Sequence, residues 1–350
     1  MSVRAITVQP GVAGSARLDA LPGSAVGAGD VVVRALAMGV CGTDAEIVRG
    51  EYGAAPPGRD RLVLGHESLG EVVEAPETST LQAGDLVVGI VRRPDPVPCS
   101  PCAAGEWDMC RNGLYTERGI KALDGFGAER FRLEADFSVR LDPGLRDVGV
   151  LVEPASVVAK AWDHIDRLTL RTTWRPNRVL VTGAGPIGLL AALLAVQRGY
   201  DVHVLDVVTT GPKPDLVRGL GATYHSSSVA EACQDADIVV ECTGVGELVF
   251  EAMACTAPDA IVCLTGVSSG GRRITVEADA LNRELVLEND VVFGSVNANR
   301  RHYELGAAAL AGADPQWLAG VITRRVALER WQEALTRTEH DVKVVIQFGT

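Results

Sequence analysis

Hydrophobic positions follow two different patterns in the two halves of this 350-residue chain. In the first half, short β-type segments are separated by glycine and proline, and the clearest of them begin at Val31, Leu69 and Asp85. From Arg178 to roughly Asn299, near-continuous apolar segments alternate with runs at helical spacing. An alternation of this kind indicates a parallel sheet that helices cover on both faces.

The two patterns predict an α/β protein with two domains, which also fits the length of the chain. We expect a mostly-β domain over residues 1–155 and a dinucleotide-binding domain over residues 156–304. A helical pattern over about residues 151–168 would link them. Residues from about 305 to 350 hold two amphipathic helical runs and a final strand, and we expect them to complete the first domain.

A glycine-rich turn organises the second half of the chain. The apolar residues 179–181 lead into Gly183-x-Gly185-x-x-Gly188, and an Ala/Leu-rich helical run follows. Gly183 permits the tight turn, Gly185 lets the backbone approach a pyrophosphate, and Gly188 lets the helix pack close to its strand. The strand–turn–helix order predicts a dinucleotide site at the helix N-terminus.

The second strand of this unit ends on Asp206, which stands 18 residues after Gly188 (206 − 188). A carboxylate there accepts the ribose hydroxyls of NAD and repels a 2′-phosphate, so we expect NAD as cofactor, with NADP as the alternative. The nearest following cation is Lys213. The other residues assigned to the cofactor site lie in the glycine turn or after later strands: Pro186, Ile187, Thr243 and Gly266.

Composition narrows the class of protein further. The net charge of −12 argues against a nucleic-acid partner. No apolar run reaches about 18 residues, so we expect no membrane span. Because no export signal is evident, we expect a cytoplasmic protein whose eight cysteines are thiols or metal ligands rather than a disulfide framework.

Candidate metal ligands lie in the first half. Cys41 follows a predicted strand, His66 and Glu67 follow another apolar run, and Glu153 begins the linking helical pattern. A thiolate, an imidazole and carboxylates are the ligands that zinc takes in catalytic sites. A lone cysteine is more often an inert core residue, so the prediction depends on these residues occurring together ahead of a dinucleotide fold.

Four motifs in order resemble those of the zinc-dependent medium-chain dehydrogenases: residues 39–44, 65–67, 99–110 and the glycine turn. The resemblance covers essentially the whole chain and is closest to the microbial glucose dehydrogenases. The segments that carry the closer resemblance are residues 91–94, 108–113, 116–120, 151–161 and 294–299. This resemblance implies a GroES-like catalytic domain and a Rossmann nucleotide domain.

The same resemblance implies roles for single residues. Cys41, His66 and Glu153 correspond to zinc ligands, and Glu67 to a carboxylate that binds the metal directly or through water. Thr43 corresponds to a hydroxyl that relays the substrate proton. Three positions correspond to sugar contacts: Glu117, Asn297 and Asn299. His302 lies nearby but is interpreted as a surface helix residue without a role.

A second cysteine group is incomplete. Cys99, Cys102 and Cys110 match three of the four structural-zinc ligands of the superfamily, but the first position is Pro96. Asp95 is one substitute for the fourth ligand; the alternatives are an unmetallated lobe held by packing, or a disulfide under oxidation. The remaining cysteines are interpreted as small buried apolar residues: Cys233, Cys242, Cys255 and Cys263.

The implied reaction is zinc-dependent oxidation of a glucose-like aldose at C1 to the lactone, with hydride transfer to NAD(P). One alternative is oxidation of another polyol, such as a cyclitol or aminocyclitol, in a biosynthetic pathway. A remote alternative is a non-catalytic dinucleotide-binding protein. The expected partners are the sugar or polyol and further copies of the chain, in a homodimer or homotetramer.

Overall fold

The computed structural model describes residues 2–22, 29–268 and 271–349. The chain divides into two compact units. The first comprises Met1–Ser156, Asn297–Gly312 and Ile322–Thr350, and the second comprises Val157–Val296 and Ala313–Val321. Near the C-terminus this division differs from the expected boundaries, because residues 297–304 cluster with the first unit and residues 313–321 with the second.

The strands are β1 Ser2–Val8, β2 Arg17–Pro22, β3 Val31–Val40, β4 Leu62–Val63, β5 Glu67–Glu74, β6 Leu86–Gly89, β7 Arg92–Arg93, β8 Thr116–Arg118, β9 Ala122–Leu123, β10 Arg130–Leu133, β11 Ser138–Arg140, β12 Arg178–Thr182, β13 Asp201–Leu205, β14 Thr223–His225, β15 Ala236–Glu241, β16 Thr256–Leu264, β17 Val291–Gly294, β18 Ile322–Ala327 and β19 Lys343–Gln347. The α-helices are α1 Gly42–Val48, α2 Ser100–Ala103, α3 Val152–Thr169, α4 Pro186–Gln197, α5 Pro212–Gly219, α6 Val229–Cys233, α7 Gly246–Met253, α8 Ala278–Leu287, α9 Arg300–Ala311, α10 Pro315–Val321 and α11 Trp331–Leu335. Short 3-10 helices cover Trp107–Met109, Ala135–Phe137, Pro143–Leu145, Gly149–Leu151 and Leu328–Arg330.

The first unit is built around β3. Its largest sheet has the order β11-β6-β5-β3-β19-β18, and β10 also pairs with β3. Smaller sheets have the orders β2-β1-β4 and β7-β8-β9. Along one edge of β3 the register places Gly39 opposite Glu67, and along the other it places Val40 opposite Val344. The end of β3 therefore lies between the start of β5 and the C-terminal strand.

The second unit contains a six-stranded parallel sheet with the order β14-β13-β12-β15-β16-β17. The chain order reverses between β12 and β15, and in open α/β sheets the crevice at such a reversal is where ligands bind. The eight residues 188–195 of α4 are all buried, as expected for a helix that packs on a central strand. The predicted α/β fold, a GroES-like domain with a parallel-sheet nucleotide domain, is confirmed. Within the described ranges, no helix is long and apolar enough to cross a membrane.

The interpretation of Cys233 and Cys255 as small buried apolar residues is wrong, because the two are bonded to each other. The disulfide links the last residue of α6 to the residue directly before β16. Helices α6 and α7 pack against each other, so two cysteines that are 22 residues apart in sequence become neighbours. Cys263 is buried as expected, whereas Cys242 is partly exposed.

A histidine pair joins β13 to β14. His203 Nδ1 and His225 Nε2 lie 2.8 Å apart, and His203 Nε2 lies 3.2 Å from Asp201 Oδ2. Burial is the largest cause that lowers the pKa of His225 below its ordinary 6.5, and the charge of His203 lowers it further. The two facing ring nitrogens share one proton, so one of them donates and the other accepts.

We predict that this pair makes folding stability depend on pH. A histidine with a lowered pKa in the folded state binds more protons when unfolded, so stability rises with pH and is lost as the pH falls below about 6.5. His225→Gln should remove part of this dependence in urea unfolding at pH 7.5 and 5.5. The control is His340→Gln at an exposed position. Equal pH dependence in the wild type and His225→Gln would contradict the prediction.

Candidate active site

The start of α1 fixes the position of Cys41. The cysteine is the N-cap of this seven-residue helix, and its backbone N–H donates to Asp44 Oδ2 at 3.0 Å. In return, the backbone N–H of Thr43 donates to Cys41 Sγ at 3.3 Å. These reciprocal bonds form a capping box with cysteine in the place of serine. Thr43 is partly exposed next to the thiol.

His66 stands at the centre of a buried group. Its Nε2 lies 3.0 Å from Cys41 Sγ, and its Nδ1 lies 3.5 Å from Asp44 Oδ1. Donor atoms of Cys41, Asp44 and His66 are all within 4.8 Å of one another, and so are those of His66, Glu67 and Glu153. The two groups share His66, and between them they contain all four predicted ligands.

Sequence reasoning assigned no role to Asp44, which is fully buried. A carboxylate that faces the second nitrogen of a metal-binding histidine fixes the ring orientation and its tautomer. Asp44 holds this place beside His66 Nδ1. The signal in the sequence was an acid three residues after the N-cap, at the position that completes a capping box.

Lys343 is a second residue that sequence reasoning missed. Its Nζ donates to both carboxylate oxygens of Glu67 at 2.6 Å, and both side chains are 2% exposed. A third contact reaches Val40 O at 3.4 Å. The signal in the sequence was a lysine directly before the apolar residues 344–346 of β19. The ion pair holds Glu67 from the C-terminal strand, 276 residues away along the chain.

Gly39 is required beside Glu67 for steric reasons. A Cβ built at Gly39 would overlap Glu67 Oε2 and would meet the rest of the Glu67 side chain. The two residues are opposite each other in the β3–β5 pairing. The glycine therefore gives the Glu67 carboxylate its space.

Burial and charge shift two protonation equilibria in this group. Burial is the largest cause that raises the pKa of Glu153 to about 7; the charge of Glu67 adds to it and His66 opposes it. Burial also disfavours a charged His66, but the negative charges of Cys41 and Asp44 outweigh it and hold the pKa of His66 well above its ordinary value. The group therefore concentrates negative charge where a cation would be stabilised.

The donor set fits zinc. Sulfur, imidazole nitrogen and carboxylate oxygen are the atoms that a catalytic zinc takes, and the second nitrogen of the histidine already faces a carboxylate. Asp44 Oδ1 and His66 Nδ1 are buried and face each other at 3.5 Å, and neither forms a closer hydrogen bond with the described part of the chain. Cys41, His66 and Glu153 would hold the metal, and Glu67, which is paired with Lys343, would bind it directly or through water.

Two of the predicted sugar contacts meet. Asn297 Nδ2 donates to Glu117 Oε1 at 2.8 Å, and the same oxygen accepts from Arg92 Nε at 3.0 Å and Nη2 at 2.9 Å. Glu117 is buried, whereas Asn297 is partly exposed with a φ of 64°. For Glu117 Oε2, the described residues supply no hydrogen-bond donor, so this oxygen can accept a bond from a ligand.

Asn299 belongs to a different contact. Its Nδ2 donates to Asp108 Oδ1 at 2.8 Å, and its backbone N–H donates to His302 Nδ1 at 3.2 Å at the start of α9. Asn299 Oδ1 is buried without a hydrogen bond to any described residue. The interpretation of His302 as a surface residue is wrong, since it is 1% exposed. The first turn of α9 is buried, and the apolar pattern of this short segment does not predict that burial.

The second cysteine group comes together but stays one donor short. The sulfurs of Cys99, Cys102 and Cys110 lie within 4.8 Å of one another. Backbone N–H groups of Arg111 and Cys102 lower the pKa of Cys99 to about 7, and burial raises that of Cys102 to about 11. Asp95 is buried, with one oxygen accepting from Val97 N at 2.8 Å and the other without a hydrogen bond to any described residue. Because Asp95 is outside the 4.8 Å group, a four-coordinate zinc there remains a prediction.

The glycine turn of the second unit has the geometry that its spacing predicts. Gly183 has a φ of 88°, Gly185 is the N-cap of α4, and Pro186 and Ile187 form the first helical positions. A Cβ at Gly188 would overlap the carbonyl oxygen of Gly183, whereas a Cβ at Gly185 would meet no atom within 4 Å. The open space at Gly185 fits the close approach of a dinucleotide pyrophosphate.

Glu241, the last residue of β15, shapes the loop beside this turn. Its carboxylate accepts from Thr182 Oγ1 at 3.1 Å, from the backbone N–H and hydroxyl of Thr243, and from Gly244 N at 3.1 Å. A Cβ at Gly266 would overlap the backbone of this loop. Thr243 and Gly266 therefore lie at the carboxyl ends of neighbouring strands, next to the reversal of strand order.

We predict that two alanine substitutions in the turn affect different properties, one the folding stability and the other dinucleotide binding. Gly188→Ala should destabilise the protein by about 1–3 kcal/mol, because helix and strand must separate. Gly185→Ala should leave the denaturant midpoint nearly unchanged and weaken dinucleotide binding, since the added methyl fills the space for the phosphates. Urea unfolding and calorimetric titration with NADH measure the two effects. Equal binding by wild type and Gly185→Ala would remove Gly185 from the cofactor site.

A GroES-like unit with a zinc-type donor set and a second unit with a glycine turn define a medium-chain dehydrogenase of the zinc-dependent class. Comparison with family models agrees: residues 27–143 match the alcohol dehydrogenase GroES-like domain, and residues 146–348 match the glucose dehydrogenase C-terminus. The chain therefore belongs to the glucose dehydrogenase family.

Relatives span the whole chain. Glucose 1-dehydrogenase of Methanocella arvoryzae is 39% identical, with 99% of this chain and 100% of the relative covered. Glucose 1-dehydrogenase of Thermoproteus tenax is also 39% identical with the same coverage. Among solved structures, Haloferax mediterranei glucose dehydrogenase in complex with NADP, Zn and gluconolactone is 32% identical, with a TM-score of 0.90 and 99% of each chain covered.

Proposed function

We propose that this chain is a zinc-dependent glucose 1-dehydrogenase that oxidises a glucose-like aldose at C1 to the lactone and reduces NAD or NADP. The observation that carries the proposal is the buried group around His66 in a chain that is 39% identical to glucose 1-dehydrogenases over its whole length. Family membership supports the reaction, and the donor set supports the metal.

Zinc, when bound, supplies a Lewis acid that lowers the pKa of a bound hydroxyl, as it lowers that of water to about 7. Cys41, His66 and Glu153 would hold it, and Asp44 would keep the His66 ring in place through the second nitrogen. Both oxygens of Glu67 accept from Lys343, so the ion pair competes with direct coordination of the metal by this carboxylate. The partly exposed Thr43 hydroxyl would take the proton from the substrate and pass it toward solvent.

Recognition of a sugar is assigned to Glu117 and Asn297. Glu117 Oε2 would accept a bond from a sugar hydroxyl, while Arg92 neutralises the buried charge of the carboxylate. Asn297 Nδ2 uses one proton on Glu117 and keeps a second for a ligand oxygen. Asn299 is assigned a supporting part, because its amide is bound to Asp108. An aliphatic alcohol would offer no hydroxyl to Glu117 Oε2 and no further oxygen to the amide of Asn297.

We propose further that the enzyme is a cytoplasmic homodimer or homotetramer. Support comes from the second unit, where β17 ends one side of the sheet and Val286 and Leu287 of the preceding helix are exposed. An exposed strand edge is a template for pairing with another copy. Size-exclusion chromatography with light scattering would test the stoichiometry, and a monomer would contradict it.

The experiment that tests the function is a panel of initial rates, with aldoses, cyclitols and simple polyols each offered with NAD and with NADP. We expect turnover on glucose or on its C2 or C4 epimers. Activity on a cyclitol or polyol alone would keep the zinc chemistry and replace the substrate. No reduction of either cofactor, with zinc bound, would favour a non-catalytic dinucleotide-binding protein.

A further inference from the structure

The carboxylate of Asp206 is already engaged by the protein. Oδ2 accepts from the backbone N–H of Ala184 at 2.7 Å, inside the glycine turn, and Oδ1 accepts from the backbone N–H of Val208 at 3.0 Å. The side chain is only 7% exposed. The Asp206 side chain therefore connects the turn after β12 to the turn after β13 by hydrogen bonds that need no ligand.

Lys213 supplies the third contact. It lies in the first turn of α5, and its Nζ donates to Asp206 Oδ2 at 2.9 Å. Its side chain is 16% exposed, so the ammonium is at the border between the protein and solvent. One of its three protons is used on Asp206, and the other two can be donated elsewhere.

The pair changes the electrostatic basis of cofactor choice. An unpaired carboxylate at the end of this strand repels a ribose 2′-phosphate, and the expected preference for NAD depends on that repulsion. Here an ammonium cancels the charge of Asp206 at hydrogen-bond distance. A 2′-phosphate would meet a neutral pair whose lysine can rotate toward it, while the two backbone N–H groups continue to hold the aspartate.

Arg218, the next basic residue of α5, is not paired with Asp206. Arg218 is 63% exposed and lies 3.4 Å from Asp215, on the last turn of α5. Arg218 therefore serves as a matched control, because it carries a positive charge on the same helix but forms its ion pair with Asp215.

We infer that Lys213 determines how the protein treats the 2′-substituent of the adenosine ribose, and that the Asp206–Lys213 pair admits both NAD and NADP. In the NAD complex the lysine stays on Asp206, which accepts from the ribose hydroxyls. In the NADP complex the ammonium binds the 2′-phosphate. The inference rests on the proposed function, since it assumes that the second unit binds a nicotinamide dinucleotide.

The test uses cofactor fragments, so that it is independent of turnover. Calorimetric titrations with 5′-AMP and with adenosine 2′,5′-bisphosphate would be made on the full-length wild type, Lys213→Met, Lys213→Arg and Arg218→Met. Losing a charge-assisted bond to the phosphate should weaken bisphosphate binding by Lys213→Met about 10- to 100-fold. We expect AMP affinity to change far less, Lys213→Arg to retain bisphosphate binding, and Arg218→Met to resemble the wild type.

Two results would overturn the inference while leaving the proposed function intact. One is an equal loss for both nucleotides in Lys213→Met, which would mean that the lysine only supports the fold of the turn. The other is a wild type that binds AMP but not the bisphosphate. Failure of the wild type to bind either nucleotide, or NADH, would instead overturn the inference together with the cofactor part of the proposed function.

Discussion

Replacing Cys41 by alanine is expected to remove one equivalent of zinc and to abolish dehydrogenase activity. The thiol is one of the donors around His66, at 3.0 Å from its Nε2. Loss of a residue that merely supports a metal ligand costs about 10- to 100-fold in affinity or activity, so loss of the ligand itself should cost more. Elemental analysis of the purified protein and initial rates with glucose measure the two effects.

The matched control for this substitution is Cys263→Ala, a change of the same chemistry at a buried thiol of β16. It should keep both zinc and activity. NADH binding should be unchanged in Cys41→Ala, because the glycine turn belongs to the other unit of the chain. A Cys41→Ala protein with full zinc content and normal rates would refute the assignment of the ligand.

Replacing Lys343 by methionine is expected to destabilise the metal-free protein by about 3–5 kcal/mol, because the Glu67 carboxylate is then left buried without a counter-charge. Both oxygens of Glu67 accept from the lysine, and neither side chain is more than 2% exposed. Urea unfolding after chelator treatment measures this loss. With zinc present the loss should be smaller, since the metal can take over the carboxylate.

A double mutant separates the lost ion pair from lost packing. In Lys343→Met/Glu67→Gln both charges are absent, so most of the stability should return. If the double mutant were as unstable as Lys343→Met alone, packing of the lysine stem would be the cause. An exposed ion pair typically contributes up to about 1 kcal/mol. If the free energy of unfolding of Lys343→Met were within about 1 kcal/mol of the wild-type value, the stabilising role of the buried pair would be contradicted.

The sequence predicts the parts of the structure that depend on local steric limits or on the spacing of apolar residues. The glycine turn is one example, because the close approach of Gly188 to Gly183 requires glycine whatever surrounds it. The parallel sheet is another, since buried strands leave near-continuous apolar runs. Cys41, His66 and Glu153 are predicted as zinc ligands from a resemblance between ordered motifs. The structure places Cys41 and Glu153 in two donor groups that share His66, and their binding of zinc stays a prediction.

The residues that sequence reasoning missed depend on contacts between distant segments. Lys343 reaches Glu67 only because β19 pairs with β3 and β3 pairs with β5, a register that no local pattern of either strand specifies. The Cys233–Cys255 disulfide likewise depends on how α6 and α7 pack. For Asp206 the residue was predicted but its ion pair was not, because the direction of the Lys213 side chain follows from the turn that starts α5.

Glucose deuterated at C1 tests whether the enzyme oxidises an aldose at C1 by hydride transfer. The zinc-loaded enzyme would be incubated with this substrate and NAD or NADP, and the reduced cofactor and the sugar product would be analysed by mass spectrometry and NMR. We expect deuterium at C4 of the reduced nicotinamide, and gluconolactone or its hydrolysis product as the sugar product. Reduced cofactor without deuterium, or no reduction at all by enzyme with full zinc content, would contradict it.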